Sequence, residues 1–381
     1  MNIVLLLDPR GALSNLDKQT IERQKKYIEC LNDLTSNKIS LVILTGSNLI
    51  STKAHEDYLQ VENLCKKTWN PIKFAFLAKK YLVGNGLNPK LILAGDPWIS
   101  FHSAYALTKI LNRDIPIQVQ LHADISDHKW MKINLKNRIK AKLVGFSLSN
   151  SSSIRVVTPE IANWLTHKFK NIQHKIVISP MPLNISKVKN LRVVPNALGF
   201  VGRMEKDRGI DLLPTLASIA YLLDEQTRLI LIGSGSSLSD ALKNIKNKAP
   251  NMFVASYGYL TGSDFEKKMS EIGILLSLAP SESYGRTVRE CLLQGIPVLA
   301  LNSKSMNHLE MQFPNSGLKT FEMEELHNGK IETKLAGLRA SGVKEGLKRH
   351  ILSINEETSN ILAESWKTLI DDDESSQKRK T

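Results

Sequence analysis

Short apolar runs recur through the first half of the chain, at Ile3–Leu7, Ile39–Leu44, Leu91–Ala94, Ile117–Leu121, Ile154–Val157 and Ile176–Ile178. Longer stretches with helical spacing fill the gaps, Lys18–Leu34 and Ala104–Leu111 among them. A strand-length run that is apolar throughout suits a sheet covered on both faces, so this alternation predicts a parallel, doubly wound α/β sheet. The second half repeats the pattern, with runs at Leu198–Val201, Arg228–Ile232, Met252–Ala255 and Ile272–Leu278. A helical pattern near Asn355–Leu369 closes the chain, and no repeat of solenoid length is visible.

At 381 residues, each half is long enough for its own core. Ser179-Pro180-Met181-Pro182 opens a polar, non-periodic connection through Asn196, which puts a boundary near residue 190. The expected organisation is 1–190, 191–370 and a polar tail, 371–381, without order.

Charge adds an asymmetry. Residues 1–190 carry 27 Lys and Arg against 13 Asp and Glu, and residues 191–381 carry 24 against 24. The whole formal excess of +14 therefore sits in the first half, which suits either an anionic partner surface or general solubility. Cys30, Cys65 and Cys291 have no metal or redox spacing, so a reducing cytoplasm is expected. The opening run is too short for a signal peptide, and no run reaches membrane-spanning length.

The most informative stretch is Ser281 to Ala300, which predicts a loop at the carboxyl end of a strand, a helix from Arg286, and a second buried strand. Gly295 stands where a helix-ending glycine belongs, with Pro297 beyond it. Open parallel sheets bind ligands at such strand ends. The backbone amides around Tyr284, Gly285 and Arg286 offer an anion site at a helix start. Glu282 and Glu290 frame it, and a carboxylate can accept hydrogen bonds from two adjacent hydroxyls. The chemistry implied is a ligand with a diphosphate beside several hydroxyls. The competing structural reading makes Arg286 and Glu290 an ordinary i,i+4 helix pair.

Upstream, Gly202-Arg203-Met204-Glu205-Lys206-Asp207-Arg208-Gly209 follows another strand and supplies two guanidiniums. They can grip a diphosphate, or else pair with Asp207 or Asp211 on a surface turn. Together these segments resemble retaining glycosyltransferases of family four, which have the GT-B fold: two Rossmann-like domains facing each other across a cleft. The resemblance implies that Glu290 holds the ribose and Glu282 the donor sugar, with Arg203 and Arg208 on the diphosphate. It also places Gly202, Gly233, Gly258, Tyr259, Tyr284, Gly285, Arg286 and Thr287 around the donor.

The first half carries Asp96-Pro97-Trp98 and Gln118-Val119-Gln120-Leu121-His122-Ala123-Asp124 at successive strand ends. These resemble an Asp-Pro and a Gln-x-His-x-Asp of a bacterial branch of the family. They imply His122 near the donor sugar, Asp96 on the acceptor side, and Asp124 either on the acceptor side or as a support for the histidine. Gly11, after the first strand, stands where the family has a glycine-rich loop; as a lone glycine it reads equally as a turn. Lys129–Lys142 predicts a basic amphipathic helix, either a contact for a membrane surface or a helix with its apolar stripe in the core.

The expected activity is transfer of a sugar from a nucleotide-sugar to a hydroxyl of a glycan or lipid acceptor, with retention and without a metal or other cofactor. It belongs to polysaccharide or glycolipid synthesis in the cytoplasm, with peripheral membrane contact. The alternatives are an epimerase-like GT-B enzyme and a non-catalytic basic protein for membranes or nucleic acid. No nucleic-acid recognition pattern is present, so nucleic acid is not an expected partner.

Overall fold

The computed structural model describes residues 1–381 except 12, 14–17, 49–53, 57, 184–195 and 379–381. The connection expected near residue 190 falls outside the described residues. The chain forms two compact units, one of Met1–Ser126, Asn134–Pro182 and Asn355–Thr381, the other of Asp127–Ile133 and Leu183–Ile354.

The first unit is built on an eight-stranded sheet. Its elements are β1 (Asn2–Asp8), α1 (Lys18–Leu34), β2 (Ser40–Gly46), β3 (Ala54–Glu56), β4 (Leu59–Cys65), α2 (Pro71–Gly84) and β5 (Asn88–Ala94). There follow α3 (Ile99–Leu111), β6 (Ile117–Leu121), α4 (His128–Ile133, which groups with the other unit), α5 (Leu135–Ser149), β7 (Ser153–Val156), α6 (Pro159–Lys168) and β8 (Ile176–Ile178). The strand order is β3-β4-β2-β1-β5-β6-β7-β8. All pairs are parallel except β3–β4. Leu5 stands between Val42 and Ile92 in register, all fully or almost fully buried, as the unbroken apolar runs require.

The second unit repeats the design with six parallel strands. They are β9 (Ala197–Val201), β10 (Arg228–Ile232), β11 (Phe253–Tyr257), β12 (Ile274–Ser277), β13 (Val298–Leu301) and β14 (Leu318–Phe321). Helices α7 (Leu213–Leu223), α8 (Leu238–Lys248), α9 (Gly262–Met269), α10 (Arg286–Leu293), α11 (Lys304–Gln312) and α12 (Lys330–Ser341) connect or cover them. The order β11-β10-β9-β12-β13-β14 reverses between β9 and β12. Loops leaving two adjacent strands on opposite sides open a crevice at such a switch point.

Two elements differ from the sequence expectation. The basic stretch Lys129–Lys142 is not one helix: Asn134 ends α4 and caps α5, its Oδ1 accepting from Asn137 N–H at 2.8 Å. An Asn side chain satisfies a first-turn donor and so favours a new start. The closing helix α13 runs from Glu345 to Lys378, through most of the tail expected to lack order. From Asn355 onward it belongs to the first unit, where Trp366 is 1% exposed and packs in the core with Tyr27 and Leu362. Trp366 Nε1–H donates to Gln118 Oε1 at 2.8 Å.

Candidate functional site

The switch point of the second unit gathers the candidate residues. The chain leaving β9 turns at Gly202, passes Arg203, and reaches Arg208 in a short 3-10 turn, Lys206–Arg208. Gly209 follows with φ of 73°, and a Cβ there would lie 1.9 Å from the Leu278 carbonyl oxygen. A glycine thus lets the turn after β9 press against the backbone leaving β12. Arg208 is brought to the β12 loop, with its Nη1 3.7 Å from Glu282 Oε2. The other oxygen, Oε1, accepts from Gly285 N–H at 3.2 Å.

Gly285 is the N-cap of α10 at φ 68°, and no side chain caps that helix start. The amides of Arg286 and Thr287 are first-turn groups without a helical acceptor, and together with the helix dipole they favour an anion. Deeper in the helix, Glu290 is 13% exposed and takes Arg286 Nε–H on its Oε1 at 3.0 Å. The i,i+4 pair foreseen as the structural reading is therefore present, and Glu290 remains mostly enclosed. Tyr284 is buried beneath the Arg289 guanidinium, 4.1 Å from its ring centre, and burial raises its phenol pKa. Beyond the helix, Gly295 N–H donates to Leu292 O and Ile296 N–H to Cys291 O, the paired bonds of a glycine-ended helix.

Arg203 and Arg208 do not act as a matched pair. Arg203 Nη2 donates to Asp207 Oδ2 at 2.8 Å on an exposed turn, so only Arg208 meets the Glu282 carboxylate. An exposed guanidinium takes the nearest carboxylate, and such a pair is worth little, so a competing anion displaces it at small cost. Gly233 has a structural reason to be glycine, since a Cβ would lie 1.9 Å from Gly202 O. Its N–H donates to Tyr257 O and Gly258 O. Gly202 and Gly258 have open space where a side chain would project, and Tyr259 is well exposed.

On the first unit, the candidates stand at the carboxyl ends of β1, β5 and β6. Gly11 closes a turn, donating from its N–H to Asp8 O at 3.0 Å. Asp96 is engaged at the start of α3, with Oδ1 accepting from Trp98 N–H and Oδ2 from Ser100 Oγ–H. His122 rests on Gln120: its Nε2 lies 3.1 Å from Gln120 Oε1. The support expected from Asp124 is not formed, because that buried carboxylate turns to Ser126, taking both its N–H and its hydroxyl. The His122 ring is enclosed although part of the residue reaches the surface. Burial foremost, then the nearby charges of Arg155 and Arg23, push its pKa down to about 3. The imidazole is neutral, and its buried Nδ1 has no hydrogen-bond partner among the described residues.

The comparisons with known proteins bear on the second unit first. Residues 183–313 match the family described as Glycosyl transferases group 1. That group 1 segment contains β9 to α11, including Arg208, Glu282 and α10. The chain is also 29% identical over 107 residues to an uncharacterized 41.2 kDa protein in the cps region of Klebsiella pneumoniae, and the match spans 28% of that relative's length. Among solved structures it resembles the lipopolysaccharide outer core galactosyltransferase WaaB (TM-score 0.63, 14% identity, 97% of this chain and 99% of that one). It resembles sucrose-phosphate synthase from Thermosynechococcus elongatus as well (0.66, 14%, 100% and 98%). A third is Anabaena HepE in complex with UDP and glucose (0.63, 14%, 94% and 99%). These neighbours show the GT-B fold, and the group 1 segment supports a glycosyltransferase.

Two contributors carried no assigned role in the sequence. Gln120 holds the His122 ring, and the polar residues Gln118 and Gln120 inside an otherwise apolar strand were the available signal. Glu205 ties the β9 and β10 loops together by accepting from both Ser236 N–H and Ser236 Oγ–H, bonds that also lower its pKa. Among the described residues, no group of three or more His, Cys, Asp or Glu is placed to hold a metal ion. Nor, among them, is any helix long and apolar enough to cross a membrane.

Proposed function

We propose that the protein transfers a hexosyl group from a nucleotide-sugar to an acceptor hydroxyl, retaining anomeric configuration and needing no metal. One observation carries the reading: Arg208 meets Glu282 beside the uncapped start of α10. A guanidinium, free amides and a helix dipole converge there on one anion-binding position. Glu282 and Glu290 add acceptors for hydroxyls of the sugar and the ribose.

In this chemistry the bond from the sugar's anomeric carbon to the β-phosphate oxygen breaks, and the acceptor oxygen bonds that carbon on the same face. The acceptor proton passes to the departing phosphate. Arg208, Arg203 and the amides of Arg286 and Thr287, with that of Gly285 once it leaves Glu282, stabilise the negative charge that develops on the leaving diphosphate. His122, neutral and resting on Gln120, is a polar neighbour for the donor sugar and not a general base. The acceptor is a glycan or a lipid-linked hydroxyl, met from the cytoplasm at the inner face of a membrane, as in polysaccharide or glycolipid synthesis.

A thermal-shift panel of UDP-, GDP- and ADP-sugars, with and without EDTA, tests this reading. One base class should stabilise the parent equally in both conditions, and Arg203→Ala and Glu290→Ala should each lose the shift. UDP-glucose is the first donor to try, since HepE was solved with UDP and glucose. The anomeric configuration of the product, read by NMR, tests retention. No response to any sugar nucleotide, or a Glu290→Ala variant that responds as the parent does, rejects the assignment.

A further inference from the structure

The helix layer of the first unit has an inverted surface. In α5 the side facing the sheet holds Ala141, Val144, Ser147 and Leu148, all buried. The opposite side carries Leu135, Ile139, Leu143 and Phe146, exposed by 69%, 49%, 61% and 49%. At about 100° per residue these four positions share an arc of roughly 80°. Four large apolar residues of this helix thus point away from the core, against Val144 and Leu148 pointing into it. Helix α2 buries Phe74 and Leu82 but likewise exposes Ile72, Phe76 and Val83, by 58%, 57% and 68%, along one line.

The two helices belong to one layer. Helix α2 packs on α3, and Phe146 of α5 packs on His102 and Tyr105 of α3 with ring centres 5.6 Å away in each case. None of α2, α3 and α5 contains an Asp or a Glu. Exposed Lys73, Lys80, Lys136, Arg138 and Lys142 flank the apolar lines. At the carboxyl edge of the sheet, Arg10 lies 4.3 Å over Trp69, and Lys140 lies 4.5 Å over Trp98.

We propose that this layer docks the protein on an anionic lipid surface, with α5 and α2 lying in the interface plane. Aliphatic and aromatic side chains in register, bordered by lysines and without a carboxylate, match a bilayer's apolar interior and its charged headgroups together. A polyanion such as RNA would use the charge and leave the aliphatic lines in water. A second copy on a two-fold axis would bring the same positive face against itself. The inference takes up the membrane contact of the proposed function and rests on no part of the transfer chemistry. Vesicle binding without donor or acceptor reads it separately.

The test is flotation of the full chain with phosphatidylcholine vesicles, with and without phosphatidylglycerol. The parent should float with the anionic vesicles only, and release as salt rises. Leu135→Ser with Ile139→Ser and Leu143→Ser should cut the bound fraction about tenfold. Lys136→Glu with Lys142→Glu should abolish both binding and its salt dependence. Unchanged circular dichroism and melting profiles show that these variants remain folded. A parent that stays unbound overturns the proposal, as does unaltered binding by both variants. So does a dimer in light scattering that Leu143→Ser dissolves while vesicles remain unbound.

Discussion

Arg208 Nη1 stands 3.7 Å from Glu282 Oε2, joining the turn after β9 to the loop after β12. The two strands are neighbours in the sheet, yet their following connections run to opposite sides. A cation is thereby brought beside the start of α10 without a local sequence relationship.

Replacing Arg208 should separate binding from stability. A hydrogen bond to a charged group is worth about 1.5–3 kcal/mol, so Arg208→Gln should weaken nucleoside diphosphate binding by about 10- to 150-fold. Arg208→Lys should recover part of this, because it keeps the charge and loses the planar fork. The pair is partly exposed, so fold stability should change by about 0.5 kcal/mol or less. Calorimetry with UDP, GDP and ADP, beside urea denaturation, reads both quantities.

Glu290 offers a direct contest between two roles. If it serves only Arg286, its removal costs about 0.2–0.5 kcal/mol of helix stability and leaves ligands unaffected. The proposed role predicts that Glu290→Gln keeps the fold and loses the donor-induced thermal shift. Arg286→Ala should lose less of that shift. Equal donor shifts for parent and Glu290→Gln would return Glu290 to the surface-pair reading.

Gly209 and Gly285 both have positive φ but different neighbours. At Gly209 a Cβ meets the Leu278 backbone carbonyl at 1.9 Å, whereas at Gly285 it meets the mobile tip of Met306, Cε, at 2.6 Å. Backbone yields less readily than a methionine end. Gly209→Ala should therefore destabilise the fold more than Gly285→Ala, each by at least about 1 kcal/mol. Urea midpoints with unchanged m-values would check the order.

His122 should leave a pH signature in stability. Its folded pKa, about 3, lies below the ordinary 6.5, so below 6.5 the unfolded chain binds a proton that the folded chain refuses. Stability from this group is full above pH 6.5 and falls by about 1.4 kcal/mol per unit as pH drops towards 3. His122→Gln should flatten that part of the profile between pH 6 and 4. An unchanged slope in the variant would show that other groups cause the acid loss.

Trp366→Phe tests the closing helix. It would leave Gln118 Oε1, wholly buried, without its indole donor. A cost of about 1–3 kcal/mol is expected in urea titration, with the Arg208-dependent nucleotide binding retained.

Much of this architecture was legible in the chain. Ile3–Leu7 and Leu198–Val201 read as buried parallel strands because both faces of such a sheet demand apolar residues. Gly295 marked the end of α10 because a left-handed residue completes its last hydrogen bonds. The partners of long polar side chains were less legible. Arg203 had Asp207 four residues away, and His122 had both Gln120 and Asp124 within reach, so sequence proximity alone left the choice open.

By itself, the order of residues determined two α/β halves, the strand-end positions of the candidate groups, and a basic first half. Those properties follow from local periodicity and composition. Tertiary structure decided that Arg208 meets Glu282, that Gln120 supports His122, and that the apolar line of α5 faces outward. Periodicity defines the faces of a helix or strand. Which face is covered, and which distant loop lies opposite, depends on strand order and on how the layers pack.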